Sequence, residues 1–534
     1  MYHEIMNALV RNSLLTLGLL FSFVFFIIIL IGLLLDFVSL PFAIGLTVII
    51  NFLIWLVSPA ISDFIYRHIY KTRFYNEDDF RTIYPQLHGF IKVVCDSSKI
   101  TFPKIGIIED KNPTAFTYGS HKGNARIVFT QGILHYLNED ETKAVLAHEI
   151  GHISNNDFII MTIASTLVQI LYEIYTVLIR TKSRGSKKGN PLVAIAIISY
   201  IFYFIGTYLL LFLSRTREYF ADQFSASVTK SPHTLTQALV KIAYGIVEAE
   251  DTENGKRLLH ATRALGLIDV KNAGHIGSII KVSSEPNAVA QVMVFDIISP
   301  WAKILEIGST HPLTGRRILA LEKIAQSLGQ NKLIDIDSAI KSKQIDNTRL
   351  YKNFLFELIL YVLPYTLPLI GLLLFGIGGF LLVLGIALIL RINYMMAESA
   401  GVKSNVFEEM CNPYASPMRG RSVIFNGAIV GRGVPGFVLS EDMMFQDDTG
   451  LAYLDYSHIL GFLGDFFFAI KKVKALMGRS VTVEGWFFRG IMHHVTLRKV
   501  IDGNEIIQSH PKFWQNAIGG LIAVVGLVMI VGNL

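Results

Sequence analysis

Ala147-His148-Glu149-Ile150-Gly151-His152 is the stretch from which the rest of the chain is read. On an α-helix, positions i and i+4 lie one above the other, so His148 and His152 present two imidazoles to one cation from a single face. Glu149 then stands at the rim. A carboxylate there can take a proton from a metal-activated water without being a ligand, the arrangement of metal-assisted peptide hydrolysis. The pentapeptide alone is weak: with 15 histidines in 534 residues, a chance match to H-E-x-x-H is expected roughly two times in a hundred. Its setting strengthens it. Asn138 with Glu141 three positions on is an N-cap signature, and Thr142 to Ala147 is a good helix run, so the motif falls on a helix.

A site of this kind needs a third protein ligand and an open fourth position. The candidate is Glu218 in Arg217-Glu218-Tyr219-Phe220-Ala221-Asp222, directly after a long apolar run whose end returns the chain to the membrane surface it left. Asp222, at i+4, shares a helical face with Glu218 and can accept a hydrogen bond from the free ring nitrogen of a ligating histidine. Taken alone, Arg217, Glu218 and Asp222 read as a solvated helix start outside a membrane span. The histidine pair upstream reverses that reading.

Ala147 to Asp157, together with Arg217 to Asp222 and Ser231 to Ile242, resembles the HtpX group of membrane-integrated zinc metalloproteases, relatives of the CAAX prenyl proteases. Two further segments carry the likeness: Asn112-Pro113-Thr114-Ala115-Phe116-Thr117-Tyr118-Gly119, similar to the group's Asn-Ala-Phe segment, and Ser309-Thr310-His311-Pro312 followed by Arg317-Ile318. The likeness covers residues 1 to 325, with the motifs in the group's order. Pro113 and Thr114 interrupt the usual Asn-Ala-Phe run, and Leu313 stands where many relatives have a second proline. The resemblance implies one Zn²⁺ per chain on His148, His152 and Glu218, Glu149 as general base, and a cytoplasmic site in the cell membrane. It also implies that His311 and Arg317 stabilise the developing oxyanion, and that the substrates are damaged or misfolded membrane proteins.

Composition frames this independently. With 52% hydrophobic and 17% charged residues, the chain is too apolar for an ordinary soluble protein of its size, so the lipid bilayer is a partner. A formal charge of +6 is mild and gives no ground for nucleic-acid binding; it fits basic flanks at a membrane surface. Cys95 and Cys411 are the only cysteines, which excludes a disulfide framework and a zinc–thiolate site by number.

Leu14 to Leu35 and Leu40 to Val57 are apolar runs of spanning length separated by a short turn, expected as an N-terminal membrane hairpin over 1–59. No small-residue cleavage site follows the first run, which therefore reads as an anchor. Arg67, Lys71 and Arg73 favour the cytoplasmic side for the residues after them. Lys104 to Glu109, Thr114 to Gly119 and Ala125 to Thr130 read as strands of a small antiparallel sheet. A protease of this design holds its substrate as an added strand, for which Asn112, Ala115 and Phe116 are the expected binding residues. Phe158 to Ile179 and Leu192 to Leu213 must form a returning membrane hairpin (157–213) if His148, His152 and Glu218 share one ion. Against that orientation, the connecting loop carries Arg180, Lys182, Arg184, Lys187 and Lys188, which the positive-inside tendency would also place in the cytoplasm.

A zinc metalloprotease domain over 60–352 is therefore expected. Phe354 to Leu390 is too long for one straight span, and a hairpin or kinked helix over 353–391 is expected there. Residues 392–514 are mostly β: Ser422 to Val430, Met443 to Asp447, Leu451 to Tyr456, Ser480 to Phe488 and Val495 to Ile501 read as short strands, with a helix over Ile459 to Met477 before the fourth. A helix between strands three and four suggests a small OB-like barrel, loosely similar to the barrels of NfeD-like membrane proteins. Phe425, Trp486, Phe487 and Phe488 are read as core, His493-His494 as a strand end, and the module as a site of protein interaction. A last apolar run, with Lys512 and Trp514 at its start, ends the chain in the membrane over 515–534.

The expected fold is thus a multi-pass α-helical membrane protein with a mainly α zincin-type metalloprotease domain and a small C-terminal β-barrel. The expected function is a membrane-bound zinc endopeptidase with polypeptide substrates. A prenyl-peptide processing enzyme and a non-catalytic scaffold presenting the barrel are the alternatives.

Overall fold

Asn138 starts the motif helix: its side chain accepts the Glu141 amide (2.9 Å), and the Glu141 carboxylate accepts the Asn138 amide (2.8 Å). This reciprocal capping box satisfies two backbone donors that a helix start leaves open. The helix then runs Glu139–Ser154 and buries His148 and Glu149 with its apolar residues. The computed structural model describes residues 16, 18–24, 26–27, 39–180, 191–249, 285–432, 440–490 and 493–532. They divide between two compact units, one drawn from residues up to 242 and from 306–333, the other from 243–305 and 334 onward.

In the first unit, a sheet of β1 (Arg73–Tyr75), β2 (Lys104–Ile108), β3 (Ala115–Gly119) and β4 (Ala125–Thr130) has the order β1-β2-β4-β3. The three strands expected from sequence are present; β1 carries too little pattern to be seen there. The sheet is mixed. β3–β4 is antiparallel as expected and the added β1 is antiparallel to β2, but the β3–β4 hairpin folds back so that β4 lies between β2 and β3 and runs parallel to β2. Strand β3 is thereby left at an edge of the sheet. Asp63, near the end of the helix Ser39–His68, ties that helix to the sheet by accepting from Lys104 (3.0 Å), Tyr118 (2.7 Å) and Arg126 (3.0 Å).

The helices Asp157–Arg180 and Pro191–Thr229 are an antiparallel pair. Tyr172 meets the Tyr203 ring at 5.1 Å and Tyr175 the Tyr200 ring at 4.8 Å, and the Ser199 hydroxyl donates to the Leu171 carbonyl. Carrying that register along the pair brings Glu218 level with Asp157. This is the return that a shared metal site demands. The loop 181–190, with most of its basic cluster, lies outside the described residues, as does most of the first apolar run; Leu20, Val24 and Ile27 of that run pack with Leu167 and Leu171. Among the described residues, four helices are long and apolar enough to cross a membrane: this pair, Asn347–Met395 and Phe513–Gly532.

In the second unit, Asn347–Met395 reverses on itself. Phe375 and Gly376 leave helical geometry, Gly376 at φ +62°, a left-handed conformation that glycine adopts without a Cβ penalty. A Cβ on Gly371 would strike the carbonyl of Gly379; eight residues apart on a straight helix, the two would be separated by about 12 Å. The hairpin's second leg lies against Phe513–Gly532, with Gly385 touching Gly519 and Gly378 touching Gly526. Small residues let helix backbones approach closely where lipid supplies no hydrophobic drive.

The strands β5 (Val402–Lys403), β6 (Arg421–Arg432), β7 (Met443–Gln446), β8 (Leu451–Asp455), β9 (Ser480–Arg489), β10 (His493–Asp502) and β11 (Glu505–Gln508) come next along the chain. Five of them close a barrel in the order β6-β7-β8-β10-β9-β6, with β8–β10 its parallel pair, the OB-type arrangement expected from the helix between the third and fourth barrel strands. Phe425 and Phe487 fill its core. Trp486 and Phe488 are also buried, against Ile392 and Met396. His493 lies inside, with Nε2 2.7 Å from the Leu451 carbonyl oxygen. Residues 286–305, from the segment expected to belong with the protease, fall with this unit: Arg489 donates to the Val292 carbonyl (2.9 Å), and the Trp301 indole donates to Glu357 (2.7 Å).

Candidate metal centre

The motif helix meets the helix Pro191–Thr229 closely at Gly151, where a Cβ would lie 3.0 Å from the Ala221 Cα. A larger residue at position 151 would hold the helices further apart. The close contact carries Glu218, one turn before Ala221, to the imidazoles. His148 Nε2 and His152 Nε2 stand 3.2 Å apart, and the two Glu218 oxygens lie 3.6 Å from His148 Nε2 and 3.5 Å from His152 Nε2. Ligands about 2.05 Å from a tetrahedral centre lie about 3.3 Å from each other. The three side chains therefore fit one small divalent ion, and they are a His/Asp/Glu cluster close enough to hold one among the described residues. A Glu218 oxygen buried without a hydrogen-bond partner points the same way, because an ion would satisfy it.

Each ring's second nitrogen faces a carboxylate. His148 Nδ1 is 3.0 Å from Asp222, and His152 Nδ1 donates to Asp157 at 2.6 Å. A carboxylate at that nitrogen favours the tautomer that turns Nε2 toward the ion. Asp222 thus stands beside the free ring nitrogen of a clustered histidine, the position expected of it. Asp157 was not singled out beforehand, although an acid at the mouth of an apolar helix is costly unless paired and could have signalled it. Arg217 holds Asp157 through an ion pair and donates to the Asn155 carbonyl (2.8 Å). Substituting Asp157 by Asn should weaken metal binding about 10- to 100-fold, read by competition against a chromogenic chelator.

Burial alone would depress both imidazoles. It does so for His152, whereas the carboxylates of Asp222 and Glu218 overrule it at His148 and hold that ring at about 9. An ion bound at His148 therefore competes with a proton that these carboxylates favour. Burial pushes Glu149 above the usual carboxylate range, and its Oε2 has no hydrogen-bond partner.

The expected oxyanion pair divides. His311 lies with Nε2 3.5 Å from Glu218 and Nδ1 2.9 Å from the Thr310 hydroxyl. Arg317 is fully buried; Nε and Nη2 donate to Asp222 at 2.9 and 2.6 Å, and Nη1 faces Glu218 at 3.4 Å. A cleft of about 640 Å³ opens beside the cluster, lined by Glu149, His152, Glu218 and His311 but not by Arg317. Arg317 thus stands behind Asp222 and Glu218 and out of the cleft. From the expected substrate strand, Thr117, Tyr118 and Gly119 line the cleft, whereas Asn112, Ala115 and Phe116 are wholly buried, Phe116 against Tyr66 and Tyr118. The other wall is apolar, with Ile54, Trp55, Met161, Leu210 and Leu211 from the long helices.

The sequence pattern of peptidase family M48 matches residues 84–325, the segment that carries every residue of this cluster and the cleft's edge strand. A protein described as Protease HtpX homolog 2, from Methanosarcina mazei, is 30% identical over 247 residues, 46% of this chain and 74% of that relative. The chain belongs to peptidase family M48. A second relative, Protease HtpX homolog of Methanothermobacter thermautotrophicus, is 39% identical over 158 residues; this chain spans 59% of its length. The crystal structure of S. mikatae Ste24p overlays 60% of this chain and 67% of its own at 17% identity and a TM-score of 0.35. Membership makes the chain a membrane-bound metalloprotease by kind, and the described barrel lies outside the matched segment.

Proposed function

We propose that the chain is a zinc endopeptidase that cuts damaged or misfolded membrane proteins from the cytoplasmic face of the cell membrane. The observation that carries this is the cleft: His152 and Glu218 of the clustered His148–His152–Glu218 group line it, Glu149 lines it beside them, and its other wall is apolar and drawn from the long helices. Zinc held there would polarise a peptide carbonyl and lower the pKa of water toward about 7. Glu149 takes the proton of the attacking water and later returns it to the leaving nitrogen; burial, which raises its proton affinity, suits it to both tasks. His311 donates to the oxygen on which negative charge develops. Arg317, through Asp222 and Glu218, keeps His148 and the carboxylate ligand in place.

The substrate lies as an added strand along the open edge of β3 at Thr117–Gly119, where main-chain hydrogen bonds hold any sequence and apolar walls select side chains. The apolar wall suits segments that have slipped out of the bilayer. Arg67, Lys71 and Arg73, at and after the end of Ser39–His68, support the cytoplasmic orientation. Purified in detergent, the chain should contain close to one zinc per molecule and cut an unfolded membrane protein, with cleavage stopped by a chelator and restored by added Zn²⁺. Cleavage that survives metal removal overturns this reading.

A further inference from the structure

The barrel's helix runs Phe462–Phe468, continues as a wider π-turn over Ala469–Val473 and ends at Lys474–Leu476. Its inner face is accounted for: Gly464, Phe468, Ala469, Val473 and Leu476 are buried, and Phe468 stacks on Tyr456 at 3.7 Å. Its outer face is also apolar. Leu460 is 66% exposed, Phe462 80%, Leu463 65% and Phe467 56%. Four large apolar side chains gathered at one end of a helix and its leading turn are not the scattered exposure normal for a soluble surface. Beyond them along the helix come Lys471, Lys472 and Lys474, all on the surface.

The place of this patch identifies its partner. The Gly461 backbone lies against the Trp514 indole, whose Nε1 is 3.2 Å from where a Cβ would sit, and Trp514 is the second residue of the membrane helix Phe513–Gly532. A tryptophan at that position marks the lipid–water interface. Other bonds hold the barrel and the adjoining chain at this level as well. Asn393, at the end of the hairpin's second leg, donates to Asn516 at 2.8 Å; Lys512 donates to Glu398 at 2.6 Å and lies over the Trp486 ring; and the Trp486 indole donates to the Ala397 carbonyl. The exposed patch is thus continuous with the membrane boundary of the chain's own helix.

We infer that the turn and helix 459–470 lie in the bilayer interface beside Phe513–Gly532, with Leu460, Phe462, Leu463 and Phe467 inserted at the acyl boundary and Lys471 and Lys474 at headgroup level. An amphipathic helix held parallel to the surface in this way buries its apolar face a few ångströms into the lipid, and the lysines favour anionic headgroups. The barrel then rests on the membrane by its helix as well as by the two chain segments that enter and leave it.

The test uses the full chain in nanodiscs containing phosphatidylglycerol. Cys95 and Cys411 are both buried, so a bimane label can be directed to Phe462→Cys or Leu463→Cys, positions exposed enough to leave the fold intact. Nitroxide-labelled lipid should quench at least roughly half of the emission while aqueous iodide quenches little. Strong iodide quenching with no effect of the nitroxide lipid places the helix in water and overturns the inference. Protection from both quenchers places it against protein, such as a second copy, and overturns it equally.

Discussion

Replacing Glu149 by Gln is expected to lower the rate of peptide cleavage by about 10²- to 10⁴-fold, the usual worth of a positioned general base, while zinc content stays unchanged. The two readouts separate because Glu149 is not one of the three clustered ligand residues; it sits beside them, buried, with an oxygen free of hydrogen-bond partners. An amide of the same shape keeps the packing and removes the proton affinity. The cleavage rate is measured on an unfolded membrane substrate, and the metal by elemental analysis of the same preparation. Unaltered cleavage ends the assignment of Glu149 as base. Lost metal moves Glu149 from the base to the structure of the site.

The second large effect is expected at Glu218. Changing it to Gln should empty the site of metal and abolish cleavage, because the cluster then consists of two imidazoles on a single helix with no anionic ligand to offset the ion's charge. The substitution also leaves Arg317 with Asp222 as its remaining partner among the two carboxylates it faces. Removing one member of a buried charged network costs about 3–5 kcal/mol, so a lower melting temperature should accompany the loss of zinc. Glu218→Asp, which keeps the charge on a shorter arm, should recover stability more than activity. An E218Q protein that holds zinc as tightly as the parent would remove Glu218 from the ligand set.

The local parts of this site are legible one residue at a time. The capping pair Asn138 and Glu141, the i, i+4 spacing of His148 and His152, and the neighbouring Glu149 all depend on a single helix, and helix geometry is the same wherever the helix sits. Glu218 needed one further step, the requirement that the apolar runs after residue 157 return to the side they left. The barrel was legible for a similar reason: alternation marks each strand, and a helix before the fourth strand selects the topology.

Other features depend on how distant elements rotate against each other. Nothing along the chain says that Asp222 serves His148 while Asp157 serves His152, or that Arg317 stands behind the carboxylates and out of the cleft. The edge position of β3, which puts Thr117–Gly119 and not Asn112–Phe116 at the cleft, results from β4 inserting between β2 and β3. The outward apolar face of the barrel helix likewise gains its meaning only from Trp514, some fifty residues later.

The sequence by itself determined the chemistry available, two imidazoles and a base on one helix with long apolar runs around them, because spacing and hydropathy act within a few turns of chain. Tertiary structure alone decided the placement of Asp157, Arg317 and Thr117–Gly119. That placement is set by the register and close approach of helices and strands far apart in sequence, at contacts such as Gly151 on Ala221 where tenths of an ångström determine which side chains meet.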